Sequence, residues 1–177
     1  VAYLGAFTLM FANGSLIFAL PPYIKDLGLP GVMLGALFST FALSAMVIFL
    51  SPLGTLPRRW GAVRSLAVGA ALMGLGIAVI ASLKTLPALF GAMGVYGLGF
   101  GLVFPSAVSA LLAGVPEGKR GTGFGIFYAV FSLGAVVGPL LLARAPAFQV
   151  SPFHLAALLP IALALGLGLR GRAPRPV

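Results

Sequence analysis

The sequence contains no cysteine, a single histidine and only two acidic residues, Asp26 and Glu117. The lack of cysteine excludes disulfides, thiolate metal sites and cysteine nucleophiles. With so few histidine and carboxylate ligands, we expect neither a multi-ligand metal centre nor a cofactor held by one. These absences remove most enzyme chemistry from consideration.

Charge is scarce as well, with 7% charged residues against 60% hydrophobic residues and a mean hydropathy of +1.15. Such a composition lies far outside that of soluble globular proteins. The net charge of +9 raises the question of nucleic-acid binding. The basic residues, however, lie at the ends of apolar runs rather than in one stripe with interleaved aromatic residues. The composition therefore predicts a bilayer-embedded protein and no nucleic-acid partner.

Apolar runs divide the chain into membrane-sized units, since a spanning helix needs roughly 20 mostly apolar residues. The runs are continuous rather than alternating, which favours helices over the shorter strands of a barrel. The first span is expected to end at Pro21-Pro22. The predicted fold is an all-α membrane protein with six transmembrane helices. The predicted spans are Ala2–Tyr23, Gly31–Leu53, Val63–Leu83, Leu86–Ala113, Thr122–Ala143 and Pro152–Leu169.

The distribution of lysine and arginine predicts the orientation of these spans. Cytoplasmic loops carry an excess of both residues. The second gap, the fourth gap and the C-terminal tail hold eight of the eleven basic residues, and the tail contributes Arg170, Arg172 and Arg175. The other gaps hold only Lys25, Lys84 and Arg144. This bias predicts a multi-pass protein of the cell (inner) membrane with both termini in the cytoplasm.

The two halves of the chain repeat each other weakly. In the first and fourth spans, Gly5 and Phe18 align with Gly91 and Phe104. In the second and fifth spans the residues Gly31, Gly35, Phe41, Leu43, Ala45 and Val47 align with Gly121, Gly125, Phe131, Leu133, Ala135 and Val137. An odd number of spans per unit turns the second unit upside down, as in the inverted repeats of many transporters. We therefore predict one domain built of two three-helix repeats, residues 1–83 and 84–177.

Glycines recur four residues apart, so each pair lies on one face of a helix and allows two backbones to approach closely. The pairs are Gly31 with Gly35, Gly97 with Gly101, Gly121 with Gly125, and Gly134 with Gly138. Pro105 and Pro139 fall within or near the ends of spans, where each removes a backbone donor. The prolines are interpreted either as hinges or as simple kinks.

The gap after the second span carries a motif that resembles a transporter signature. It reads Gly-Thr-Leu-Pro-Arg-Arg-Trp-Gly-Ala-Val-Arg over residues 54–64. The cytoplasmic signature of the major facilitator superfamily is Gly-x-Leu-Ala-Asp-Arg-x-Gly-Arg-Arg, and this loop is similar to it in order and spacing. Arg58 stands where the family usually has an aspartate, which places the family's charge-relay gate in doubt here. The resemblance implies a cytoplasmic gate motif of Gly54, Arg58, Arg59, Gly61 and Arg64, whose arginines also have a simpler interpretation as membrane anchors.

A second resemblance to the same family covers the fourth and fifth spans. The segment from Gly97 through Gly101 to Pro105 resembles the family's fourth helix, and the run from Gly134 through Gly138 to Pro139 is similar to the motif of its antiporter members. Typical members have twelve spans in two six-helix halves, so the resemblance implies one half. A second six-helix half or a homodimer is then the expected partner, and the sequence leaves open which half this chain represents.

Few residues are left that could bind a solute within the spans, because we find no acidic or basic residue well inside any of them. Proton or sodium coupling by an acid of this half is therefore not expected. The predicted cavity residues are polar or aromatic: Asn13, Tyr96, Ser106 and Tyr128. Each also has an interpretation as a packing residue, and for Asn13 the alternative is an interhelical hydrogen bond. His154 is interpreted as interfacial rather than as a proton shuttle.

Three classes of function were weighed against these residues. The first is a secondary transporter half that exports a small amphipathic solute by alternating access. The second is a non-transporting membrane partner subunit, which the same packing motifs would fit. The third, an intramembrane serine hydrolase, requires a serine activated by histidine. The only histidine lies at a span end, so we expect no enzyme.

Overall fold

A computed structural model describes residues 1–144 and 151–170 of the chain. Six of its helices are long and apolar enough to cross a membrane. The helices are α1 (Ala2–Asp26), α2 (Val32–Leu50), α3 (Leu56–Arg59), α4 (Ala62–Ser82), α5 (Leu86–Gly114), α6 (Arg120–Leu142) and α7 (Pro152–Arg170). The short helix α3 lies in the loop between α2 and α4, after a 3₁₀ turn at Pro52–Thr55. The predicted all-α fold of six spans is confirmed.

The first helix continues beyond its predicted end, because Pro21 and Pro22 both lie inside α1. Proline holds φ near the helical value, so two prolines close to a helix end cost hydrogen bonds without forcing a change of direction. The last turn is also tied to its neighbours. The Tyr23 hydroxyl donates a hydrogen bond to the Ile80 carbonyl of α4 at 3.1 Å, and its ring lies 4.9 Å from that of Phe153 in α7.

The helices are arranged as a row of four backed by a row of two. Helix α5 packs against α2 on one side and α1 on the other, and α1 packs in turn against α6. Helix α4 covers α5, and α7 packs against α4 and α1. The core lies where the rows meet, and 61% of the most apolar stretch of α1 is buried there. The same share is only 17% in α2 and 22% in the α6 span, so the outer helices of the front row leave apolar faces open.

Glycines on α6 bring that helix into backbone contact with α1. A Cβ atom added to Gly134 would lie 2.9 Å from the Phe11 nitrogen, and one added to Gly138 would lie 2.7 Å from the Ser15 Oγ. Neither position has room for a side chain. Pro139 deprives the Ala135 carbonyl of its helical donor. That oxygen lies against α1 at Gly14, where a Cβ would approach it to 2.7 Å.

The contact between α2 and α5 is the counterpart of the contact between α1 and α6. A Cβ atom on Gly97 would lie 2.8 Å from the Ser44 Cβ, and one on Gly101 would lie 2.8 Å from the Ile48 Cβ. The repeat alignment pairs Gly5 with Gly91 and Gly31 with Gly121. In this alignment the Gly97–Ser44 contact corresponds to the Phe11–Gly134 contact, and the Gly101–Ile48 contact corresponds to the Ser15–Gly138 contact. The helix packing therefore follows the register of the proposed repeat. The division at residue 83 stays a prediction, and residues 145–150 and 171–177 lie outside the described part.

The α4–α5 contact depends on glycines that the sequence analysis did not single out. A Cβ atom on Gly69 would lie 2.9 Å from the Gly99 oxygen, and one on Gly76 would lie 2.8 Å from the Ala92 oxygen. None of Gly69, Gly76 and Gly99 has another glycine four residues away, so the four-residue spacing did not identify them. By contrast, the predicted pairs Gly31–Gly35 and Gly121–Gly125 meet nothing within 4 Å among the described residues. The four-residue spacing therefore identified a glycine face without indicating whether another helix of this chain covers it.

Candidate functional site

An open cavity of about 770 Å³ lies where the loop after α2 meets the C-terminal half of α5. The loop contributes Gly54 and Arg58 of the predicted gate motif, and α5 contributes Phe104 and Pro105. Two motifs far apart in the sequence thus border one space. Ser51, Thr55 and Ser109 add hydroxyl groups to an otherwise apolar wall that includes Phe49 and Leu112. Such a mixture suits a solute with an apolar body and a few polar groups.

The loop itself is shaped by two glycines. Gly61 has φ of +88°, in a region that side-chain-bearing residues rarely adopt, and it is the residue that precedes α4. Gly54 packs close to the end of α2, where a Cβ atom would lie 3.0 Å from the Ile48 carbonyl oxygen. Arg59 and Arg64 are both exposed and neither borders the cavity. Of the three arginines of the motif, only Arg58 faces this space.

Charge pairing around the loop is absent from the part of the chain that the structure describes. Within residues 1–144 and 151–169 the only ion pair joins Arg120 to Glu117, three residues apart at the start of α6, at 3.1 Å. No group of three histidine and acidic residues that could hold a metal ion occurs in those same ranges. Arg58 is therefore an exposed cation at the cavity wall without an ion-pair partner among these residues.

A cluster of aromatic rings extends from the cavity toward α6. The ring of Phe104, at the cavity wall, lies 6.4 Å from that of Phe131, which in turn lies 5.9 Å from Tyr128. Phe124 and Phe127 complete the cluster at 6.4 Å and 5.7 Å from Tyr128. Tyr128 is 50% exposed, whereas Phe127 is fully buried. Tyr128 thus presents a half-exposed ring that packs against other aromatic rings, and its role as a cavity residue stays a prediction.

Asn13 lies on α1 with its side chain only partly buried. Its Oδ1 atom is shielded from solvent and has no hydrogen-bond partner among the described residues. A buried amide oxygen without a hydrogen-bond partner is costly, and in folded proteins such an atom usually has a protein or water partner. The interhelical hydrogen bond that was the alternative interpretation does not form within this part of the chain.

The structure places Tyr96 and Ser106 in the packed interior. Tyr96 is fully buried, and its ring lies 5.4 Å from that of Phe41. The Ser106 hydroxyl donates to the Leu102 carbonyl one turn earlier at 2.6 Å, next to Pro105. Neither side chain reaches an open face. The Tyr96 hydroxyl, like the Asn13 Oδ1, is buried without a hydrogen-bond partner among the described residues. The cavity roles of Tyr96 and Ser106 stay predictions. The aromatic partners of Tyr128 were missed by the sequence analysis, although their spacing of three and four residues on α6 marks one helix face.

This geometry defines the class of protein. Six apolar spanning helices with ionic residues confined to their ends make a multi-pass membrane protein. The open cavity between the basic loop and the end of α5 is compatible with a membrane transport protein, whose solute sites lie between helices.

Comparison with known proteins identifies the family within that class. The family model described as Major Facilitator Superfamily matches residues 2–176. The chain therefore belongs to the major facilitator superfamily, and it is a transporter-family protein rather than an enzyme. It is 34% identical over 141 residues to "Quinolone resistance protein NorA" of Staphylococcus aureus strain MRSA252, a stretch covering 78% of this chain and 36% of that protein. The proteins of the same name from strains Mu50 and N315 are 33% identical with the same coverage. The match thus spans about a third of the length of these relatives.

Proposed function

We propose that this chain is one half of a secondary transporter, which exports a small amphipathic solute by alternating access together with a second six-helix half or a second copy. The observation that carries the proposal is the open cavity between the α2–α4 loop and α5. Its wall joins Arg58 to an aromatic surface that ends at the half-exposed Tyr128. An aromatic solute with a polar group fits such a wall better than a sugar or a small ion does.

The unpaired faces of the front row support the need for a second half. One face of α6 carries four residues at successive spacings of four, three and four: Gly121, Gly125, Tyr128 and Ser132. Both glycines on that face have open space around them. On α2, Gly31 and Gly35 are equally open. Helices with uncovered glycine faces are suited to close contact with a partner helix in the membrane.

The absence of ionisable groups inside the spans bears on how transport would be driven. Lys25 and Asp26 end α1, Arg64 lies in the first turn of α4, and Arg120 begins α6. An ion-coupling group is an acid, histidine or base within the membrane. Coupling would therefore come from the second half, or transport would be facilitated and uncoupled. We place the protein in the cell (inner) membrane with both termini in the cytoplasm, as the basic residues predict.

The solute class is suggested by the relatives, whose name refers to quinolone resistance. The test is efflux of a fluorescent quinolone from bacteria that lack their own efflux pumps and express the chain alone or with its second half. We expect efflux only when a second half or a dimer is present. If export is never observed while the chain is correctly inserted and paired, the alternative of a non-transporting partner subunit is favoured.

Replacing Arg59 by alanine is expected to slow transport by roughly fivefold, the effect of losing about 1 kcal/mol from a charged contact made during gating. Expression should fall far less than flux. Lys119→Ala is the matched control, since Lys119 is another exposed basic residue on the same predicted membrane side. The measurement is initial flux per inserted protein in a paired preparation. Unchanged flux at an equal protein level would leave Arg59 as a membrane anchor only.

Replacing Tyr128 by alanine is expected to raise the KM for an aromatic solute roughly three- to tenfold, because a stacked ring contributes about 0.5–1.5 kcal/mol. Tyr128→Phe keeps the ring and should retain most of that affinity, which separates stacking from hydrogen bonding. Since the side chain is 50% exposed, neither substitution should unfold the bundle. Concentration-dependent efflux rates measure the effect. An unchanged KM in Tyr128→Ala would remove this residue from the site.

A further inference from the structure

A second cavity lies on another side of the bundle, between α6 and α7. It has a volume of about 400 Å³, and α1 forms its floor because α6 and α7 touch each other only slightly. The lining is almost entirely apolar and includes Phe7 and Phe11 of the floor, Val137 and Leu141 of α6, and Leu155 and Leu158 of α7. None of these residues belongs to the solute site described above. We call this cavity the α6–α7 groove.

The groove is long enough for part of one lipid tail. Its lining on α7 runs from Leu155 to Ala162, over which the helix rises roughly 10 Å. One leaflet contributes half of a hydrocarbon core that is about 30 Å thick, so the groove is shorter than one leaflet. A slot of this length and apolarity matches part of an extended acyl chain.

The mouth of the groove is basic. Arg144 follows the lining residue Leu141 by three residues, and the Arg144 nitrogen is bonded to the Leu141 carbonyl at 3.1 Å, which continues the helical turn. His154 precedes the lining residue Leu158 by one helical turn and shares its face. Both basic residues are exposed. The N-terminus of α7, with its partial positive charge, lies at the same end.

Among the described side chains, no acidic residue forms an ion pair with Arg144 or His154. Asp26, at the end of α1, is the acidic residue on the same predicted membrane side, and the ion pair that the described side chains form joins Arg120 to Glu117. The groove therefore joins an apolar slot to an end with an exposed arginine. That combination favours a lipid with a net negative charge over a zwitterionic one, whose own cation offsets the attraction.

We propose that the α6–α7 groove is a binding site for an anionic phospholipid of the surrounding leaflet. One acyl chain lies along Phe11, Leu141 and Leu158. The phosphate and its anionic headgroup lie at Arg144, with His154 and the first backbone amides of α7 as further donors. This site does not depend on transport, because it shares no lining residue with the solute cavity.

The chain offers a clean fluorescence test, since Trp60 is its single tryptophan and lies in the loop after α2. In the full chain carrying Trp60→Phe, Leu158→Trp places the only indole at the groove, and Leu75→Trp places it on α4 at an exposed position outside it. Each protein is inserted into phosphatidylcholine vesicles containing a small fraction of brominated lipid. Brominated phosphatidylglycerol is compared with brominated phosphatidylcholine at equal mole fraction.

We expect the phosphatidylglycerol to be enriched about fivefold at position 158, the effect of one cation beside an anionic headgroup, and not at position 75. Arg144→Ala should abolish the enrichment, whereas Lys84→Ala, which removes another exposed cation from the same predicted side, should leave it intact. Equal quenching by the two lipids at position 158, or enrichment that survives Arg144→Ala, overturns the proposal. So does a position 158 shielded from both lipids, which would mean that a second protein chain covers the groove. Native mass spectrometry of the parent chain and of Arg144→Ala provides the same comparison without a tryptophan in the groove.

Discussion

Replacement of Gly138 by leucine should destabilise the bundle by about 3 kcal/mol or more, the largest single effect that we expect in this chain. A Cβ atom at this position would lie 2.7 Å from the Ser15 Oγ and 3.2 Å from the Ser15 nitrogen. Overpacking of a filled interior costs about 1–3 kcal/mol even when only side chains must move. Here the obstacle includes the backbone of α1, so α1 and α6 must separate.

The matched control is Gly166→Leu in α7, where an added Cβ atom meets no described residue within 4 Å. Leucine is a better helix former than glycine by roughly 0.8 kcal/mol, so this variant should be as stable as the parent or slightly more stable. Unfolding in mixed micelles with increasing denaturing detergent measures both variants on one scale. Equal stability of the two would show that α1 and α6 are not in contact at Gly138.

These two positions show what the sequence could and could not predict about packing. Gly97, Gly101, Gly134 and Gly138 were identified from a four-residue spacing, and each has a neighbouring helix within the reach of a Cβ atom. Gly31 and Gly125 have the same spacing and no such neighbour. A spacing states that two residues share a helix face, whereas the contact of that face is decided by which helices lie beside each other. Gly69 and Gly99 were missed because they lie close together only where α4 crosses α5. A spacing within one helix does not show such a crossing.

The same distinction applies to the candidate site. The loop after α2 could be singled out because its glycines and arginines occur in a fixed order, and Gly61 occupies a backbone conformation that favours glycine. Its role as a gate stays a prediction. Tyr96 and Tyr128 looked equivalent in the sequence, since both are polar aromatic residues near the middle of a span. Tyr96 lies on a face of α5 that packs against Phe41, whereas Tyr128 lies on a face of α6 that leaves it half exposed. Only the rotation of each helix within the bundle separates the two.

The open glycine face of α6 leads to the second large effect, which concerns pairing. Because the natural chain contains no cysteine, a single introduced cysteine is the only thiol. Gly125→Cys places it on the face that we propose to meet the second half, where an added Cβ atom meets no described residue within 4 Å. With a short bifunctional maleimide and a second half bearing a cysteine, or with a second copy of the variant, most of the protein should migrate as a cross-linked pair.

Gly168→Cys in α7 is the matched control, since it is the same substitution at another open glycine, near the same predicted membrane surface but in the rear row. Random collisions in the bilayer would cross-link both variants alike, whereas a specific pair brings together only the front-row positions. In the proposed arrangement the six spanning helices form one wall of a cleft, and one wall has nothing to close against when access must alternate. A strictly monomeric chain that still exports solute would therefore contradict the proposed pairing, even if every helix contact within the bundle were correct.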